Sequence, residues 1–383
     1  MEMCLPDYKG GSIVNLMSSI GEACGWKSSY PSLKSLSPRK LKNFKNIVLV
    51  VIDGLGYDYL ISKKDSFLYK NLKTSITSVA FPTTACAITT FLTGVAPQQH
   101  AITGWHINLK ELGAVTTILP FVPRAKGKFD EKKIKIKDIL KEKGVFSKIN
   151  RRSYVLCNNE INKGSFNVDI TKNAEIVNTG NLNNFFQKLK ITIKKPGKKY
   201  IYAYWGDFDM FCHEYGKDDK KVGAHFNKID KNFQRLFKKL EKDTVIIITA
   251  DHGSVTLPLN KRIWLENHPK LKECLSAPLC AEPRARCCYV HPSKAKQFED
   301  YIKTYLSEYC IAYKSEDLIK KGLFGLGKPN PELFDRLGDY VLIMKGNYII
   351  KDLIIGEKDN RHLGNHGGIS KEEMLVPLII LKN

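Results

Sequence analysis

Three apolar runs, two of them β-branched and one rich in tyrosine, each lead into carboxylates. Residues 46–52 (NIVLVVI) run into Asp53-Gly54, residues 200–204 (YIYAY) lead to Asp207-Phe208-Asp209, and residues 244–249 (TVIIIT) lead to Asp251-His252-Gly253. Such runs read as strands covered on both faces. In an open α/β sheet, ligands collect beyond the carboxyl ends of the strands. If the three strands are parallel neighbours, their acids converge on one edge, where they repel unless cations sit among them. That repulsion is the argument for metal.

The histidines narrow the choice of ion. Asp209 and His213 are four residues apart, Asp251 and His252 are adjacent, and GNHGG presents His366 where glycines allow close approach. Mixed imidazole and carboxylate ligands favour zinc, or manganese or iron, over magnesium or calcium. Two ions about 4 Å apart suit phosphoryl transfer, with attacking and leaving oxygens clamped between them. An Asp-Gly after a strand, a lone DHG or a lone Asp-x3-His is by itself an ordinary turn or cap. Their joint occurrence in this order carries the reading.

A nucleophile stands in FPTTACAITTFLTG, residues 81–94. Pro82 ends the extended chain, and Thr83 or Thr84 caps the apolar helix that follows. A hydroxyl there faces free N–H groups that also bind phosphate oxygens, and metal coordination would activate it. The plain alternative is a threonine cap without chemistry.

The elements that must position these groups form an alternating α/β pattern. Residues 12–24 carry Ile13, Leu16, Met17 and Ile20 at helical spacing, stopped by Gly25. Val222, Phe226, Ile229, Phe233, Leu236 and Leu240 mark a second amphipathic helix. Residues 376–381 (VPLIIL) read as a closing strand. Strands alternating with such helices imply a layered sheet. Residues 257–350 differ: a Pro/Cys-rich stretch, a helix-like segment at 293–309, the turn GLFGLGKPNPE and a β-rich GDYVLIMKGNYIIKD. They read as an insertion or cap within one catalytic domain spanning 1–383.

Composition bounds the rest. The chain has 383 residues, 43% of them hydrophobic and 26% charged, which excludes global disorder. The formal net charge of +22 would attract anionic substrates, but the lysines are spread and few aromatics interleave them. No motif supports nucleic-acid binding. No apolar run approaches a membrane span, and MEMCLPDYKGG lacks the pattern of a secretory leader. Ten scattered cysteines without a CxxC pair are expected to be reduced thiols of a cytoplasmic protein.

The pieces VVIDGLGYDYL, FPTTACAITTFLTGVAPQQHAITGW, DFDMFCHEYG, TADHG and GNHGGISKEEMLVPLI lie between residues 50 and 380. Together they resemble the alkaline phosphatase superfamily, most closely its type I phosphodiesterase/nucleotide pyrophosphatase branch. The resemblance implies a three-layer α/β/α sandwich with a smaller inserted α+β subdomain. It implies two zinc-type ions, one held by Asp209, His213 and His366, the other by Asp53, Asp251 and His252. It implies Thr84 as the nucleophile bridging both ions, with a phospho-threonine intermediate; Thr83 competes because the segment before it is one residue short. Ala87 departs from the pattern: better-known pyrophosphatases place there an Asn that helps hold the phosphoryl oxygen. Arg284 and Arg286 are candidate substitutes for that contact. Asp207 and His362 are weaker alternatives to Asp209 and His366.

The activity so implied is cleavage of phosphodiester or pyrophosphate bonds in a small molecule, a nucleotide by preference. A phosphomonoesterase or phosphonate hydrolase is the first alternative, and a related one is oligonucleotide cleavage. A non-catalytic binding protein retaining the fold is the alternative of another class. Sulfatase and phosphoglycerate mutase readings fail at the nucleophile, the first for want of a C/S-x-P-x-R arrangement and the second for want of a serine. Oligomeric state is not legible.

Overall fold

A computed structural model of the chain describes residues 3–130 and 133–383. Its centre is a seven-stranded sheet in the order Leu72–Thr77, Leu375–Lys382, Thr244–Thr249, Asn46–Ile52, Lys199–Trp205, Arg152–Asn158, Ala174–Thr179. The strand Leu375–Lys382 runs antiparallel to both its neighbours; the other pairings are parallel. Every residue of Asn46–Ile52, Lys199–Trp205 and Thr244–Thr249 is buried. Burial on both faces is what β-branched runs without polar alternation require, and it makes the domain a helix–sheet–helix sandwich.

The helices follow from amphipathic spacing. Ile13–Ala23 packs on Thr84–Thr93. Lys220–Phe237 buries Val222, Phe226, Ile229, Phe233 and Leu236, and Leu182–Lys194 lies against it through Phe186, whose ring is 4.8 Å from that of Phe233. The helix-like stretch 293–309 forms as Ala295–Tyr301, followed by one π-helical turn, Ile302–Leu306. Among the described residues, no helix is long and apolar enough to cross a membrane.

A second, antiparallel sheet has the strand order Cys310–Lys314, Tyr340–Met344, Ala285–Cys288, Cys280–Glu282, His106–Leu109, Ala114–Thr117, Val122–Pro123. The 257–350 segment therefore does not build this layer alone. Three short strands that follow the Thr84–Thr93 helix complete it, joined through the His106↔Ala281 pair. At two to four residues each, they are too brief to show a period in sequence.

Candidate active site

Register explains the convergence of the acids. Val51 pairs with Tyr204 on one side and with Thr249 on the other, so the three strands end level at one sheet edge. Asp53 and Asp251 each lie two residues past a paired position. Neighbouring strands are about 4.8 Å apart, so the two carboxylates become neighbours. The Gly54 N–H donates to Asp251 Oδ1 at 3.0 Å, and so does the His252 N–H at 3.0 Å. Asp209 arrives from the first turn of the helix Asp207–Tyr215. It approaches Gly54 so closely that a Cβ there would lie 2.6 Å from its Oδ1; Gly54 has φ +72°, and a side chain is excluded on both counts.

The imidazoles complete the ring. His213, one turn beyond Asp209, places Nε2 2.9 Å from Asp209 Oδ2, and its Nδ1 is 2.7 Å from the Gly364 carbonyl. His252 Nε2 lies 3.3 Å from Asp53 Oδ1, 3.5 Å from Asp251 Oδ2 and 3.2 Å from Thr84 Oγ1. The His366 and His252 rings stack with centroids 3.7 Å apart. Two sets of ligand atoms result, each mutually within 4.8 Å: Asp53, Asp251 and His252, and Asp209, His252 and His366. The first matches the expected ligand set. The second shares Asp209 and His366 with expectation but takes in His252 where His213 was expected, because His213 is drawn onto Asp209 as its ion-pair partner.

Electrostatics say what these residues could hold. Asp53 is raised well above the ordinary carboxylate range by burial and by the charges of Asp251 and Asp209. Burial pushes Asp209 the same way, but His213, then His366 and His252, outweigh it and hold that carboxyl well below its usual range. Burial alone would lower His213; Asp209 more than offsets this and lifts it to about 9. His366 is lowered well below the usual value by burial and by His252. One oxygen each of Asp53, Asp209 and Asp251 is buried without a hydrogen-bond partner. Carboxylate oxygens left without hydrogen-bond partners, gathered with imidazole nitrogens into two groups, are the donor set a divalent cation needs, so the residues present fit such ions.

The two threonines separate. Thr83 is fully buried as the helix cap, its hydroxyl accepting from the Cys86 N–H at 3.3 Å. Thr84 is half-buried and opens onto a cleft of about 1220 Å³ that Asp53, Asp209, His213 and His366 also line. Ala87 is buried inside the helix and presents nothing to the cleft. Asp207 is half-buried at the helix start, raised by burial, and belongs to neither ligand set. His362 is exposed at the rim, its ring 4.6 Å from that of His213.

Arg284 does not reach the phosphoryl site. It is buried against Glu373, with Nε–Oε1 at 3.0 Å and Nη2–Oε2 at 2.8 Å, and its Nη1 donates to the carbonyls of Gly346 and Tyr348. A buried guanidinium needs a charge partner and full donor satisfaction, and Glu373 provides the first. Glu373 in turn accepts from the Gly368 N–H at 2.8 Å, and its carbonyl accepts from the Gly253 N–H at 2.9 Å. The pair thus ties down the loops that carry His366 and His252. Sequence reasoning missed Tyr204, whose hydroxyl donates to Asp53 Oδ2. Its place in YIYAY, level with Val51 one strand away, was the available signal.

A mostly parallel sheet that gathers strand-end carboxylates, imidazoles and a first-turn threonine at one cleft is the arrangement of a phosphoester hydrolase. Murine ectonucleotide pyrophosphatase/phosphodiesterase 5 superposes with a TM-score of 0.64 at 17% identity over 87% of each chain, and its inactive threonine-to-alanine variant has been solved with AMP. Phosphonoacetate hydrolase from Sinorhizobium meliloti, in complex with phosphonoformate, superposes with a TM-score of 0.61 at 15% identity, over 88% of this chain and 89% of that one. No curated protein matches the chain in sequence. The family model for type I phosphodiesterase / nucleotide pyrophosphatase matches residues 47–369, and the chain belongs to that family.

Proposed function

We propose that the protein hydrolyses phosphodiester or pyrophosphate bonds of small molecules, nucleotides by preference, through Thr84 and a pair of zinc-type ions. The observation that carries this reading is the three orphaned carboxylate oxygens converging beside Thr84 Oγ1 and His252 Nε2. Asp53, Asp251 and His252 would hold one ion, and Asp209 and His366 the other, with His213 joining once its pairing with Asp209 is exchanged for metal. Bound there, the ions neutralise the phosphoryl oxygens and acidify the threonine hydroxyl.

Thr84 Oγ1 gives up its proton and attacks phosphorus, and the bond to the leaving oxygen breaks. Water then attacks the phospho-threonine, and Thr84 recovers its proton. The N–H groups of Thr84 and Ala85 at the helix start would take the place of the contact Ala87 lacks, since those of Cys86 and Ala87 are bonded to Thr83. Tyr204 holds Asp53 in its ligating orientation. The chain's ten scattered cysteines without a CxxC pair fit a reducing, cytoplasmic setting.

The test compares an aryl phosphodiester with an aryl phosphomonoester, zinc or manganese supplied, in the native protein and in Thr84→Ala. Diester turnover that disappears in Thr84→Ala is the expected result. Full activity in that variant would end the mechanism. A monoester preference of about tenfold, roughly 1.4 kcal/mol of barrier, would reverse the substrate choice.

A further inference from the structure

Three buried arginines, Arg124, Arg284 and Arg286, come from or pack against the second sheet, and two of them are fully committed. Arg284 is held by Glu373 and two carbonyls. Arg124 is held by Asp352, Glu357 and the Leu279 carbonyl. Arg286 is different. It is 3% exposed and lines the same cleft as Thr84, yet only its Nε–H is used, donating to the Ile350 carbonyl at 2.9 Å.

A guanidinium carries five N–H donors. The acid nearest the other four, Asp352, stands 3.9 Å from Nη2, beyond hydrogen-bond reach. Its oxygens are already taken by Arg124 and by the Leu279 N–H. Among the described residues, the Nη groups of Arg286 have no hydrogen-bond acceptor, and they are not sealed from the cleft. A buried cation with its fork open to a cavity is the arrangement that binds a carboxylate or phosphate in two parallel hydrogen bonds.

Arg286 pairs across the hairpin with Ala281, whose φ of +60° lies in the left-handed region. Regular alternation would send Glu282 to the opposite face from Arg286. Both nonetheless line the cleft together with Ala281. Ala281 is held by the His106 pairing and by Gly104, where a Cβ would lie 2.5 Å from Ala281 Cα. Glu282 accepts from the Trp105 N–H at 3.2 Å, and its Cβ would lie 2.6 Å from a Cβ at Gly367, the neighbour of His366. The hairpin therefore abuts the ligand loop, and Arg286 on the same hairpin lines the cleft onto which Thr84 opens.

We propose that Arg286 determines specificity by gripping a second oxyanion group of the substrate, a phosphate or a carboxylate carried beside the phosphoryl group under attack. The idea rests on the hydrolase reading and narrows it: the preferred substrates are pyrophosphate-type or carboxylate-bearing phosphorus compounds rather than simple diesters.

The test measures affinity for orthophosphate, pyrophosphate and phosphonoacetate in the metal-loaded native protein, Arg286→Gln and Arg286→Lys. It uses inhibition of bis(p-nitrophenyl) phosphate hydrolysis and, independently, titration calorimetry. The native protein should prefer at least one two-anion probe over orthophosphate by about tenfold or more, and Arg286→Gln should abolish the preference. Arg286→Lys, which keeps the charge and loses the fork, should retain part of it and stands in if the Gln variant does not fold. A preference for pyrophosphate alone names a phosphate, and one for phosphonoacetate alone names a carboxylate. An unchanged preference ratio in both variants, or no preference in the native protein, overturns the proposal. Failure of the hydrolase reading would appear separately, as absent turnover or as turnover that survives Thr84→Ala.

Discussion

Replacing Arg284 by Met tests whether the second sheet holds the site loops in place. Arg284 and Glu373 are 1% and 0% exposed and form two charge-assisted bonds of 3.0 and 2.8 Å. Burial raises the Glu373 carboxyl, but Arg284 outweighs it and holds it below its ordinary range. Met fills similar volume, yet it leaves a carboxylate buried with the Gly368 N–H as its main remaining donor. Breaking such a pair from one side costs about 3–5 kcal/mol. At about 2 °C per kcal/mol for a chain of this size, the melting midpoint should fall by roughly 6–10 °C. Replacing both partners, as Arg284→Met with Glu373→Leu, removes the stranded charge and should recover most of the loss.

The cycle should show a coupling of about 3 kcal/mol. The sign with pH is fixed by the depressed Glu373. The contribution is complete above its unfolded value and is lost only as pH falls through the lowered folded one, so a pH 7 assay reads it in full. Urea denaturation of the four proteins is the assay. A loss below about 1 kcal/mol in Arg284→Met, or single losses that simply add in the double variant, would refute the reasoning.

Thr84→Ala should lower hydrolysis by about a thousandfold or more, whereas Thr83→Ala should lose about 1 kcal/mol of stability from the helix cap and keep turnover; comparing rates with denaturation midpoints separates them. Tyr204→Phe should weaken metal affinity by about tenfold, read by competition with a chromophoric chelator, because Asp53 loses the donor that orients it. Chelation should lower the melting midpoint and added zinc restore it, by about 4 kcal/mol at a thousandfold excess over Kd; an unmoved midpoint would count against the ligand sets. His100, buried and bonded to Thr90, is lowered to about 3 by burial and by Arg336. The unfolded chain therefore gains a proton below about pH 6.5 that the folded one refuses, and this costs about 2 kcal/mol of stability at pH 5. His100→Gln should show its stability gap to the native protein shrink by that amount between pH 7.5 and pH 5.

The chain by itself determined the strands, the main helices and the identity of the groups at their ends. Continuous apolar, largely β-branched runs read as doubly covered strands, and acids at the ends of three of them needed only parallel pairing to meet. Asp53, Thr84, Asp209, Asp251, His252 and His366 were legible because each stands at a boundary between a periodic segment and a turn. Tertiary structure decided what depends on contacts across long stretches of chain. Level registers across Val51 make Asp53 and Asp251 neighbours. Burial of Thr83 leaves Thr84 as the hydroxyl that faces the cleft.

The second sheet takes strands from two separated parts of the chain, and the same hairpin gives Arg284 to Glu373 and Arg286 to the cleft. Two arginines two residues apart are chemically identical in sequence. The position of a buried carboxylate makes one a strut, while the other keeps only its Nε hydrogen bond. Spacing along the chain encodes local geometry, whereas charge satisfaction in a low-dielectric interior is settled by whatever folding brings alongside.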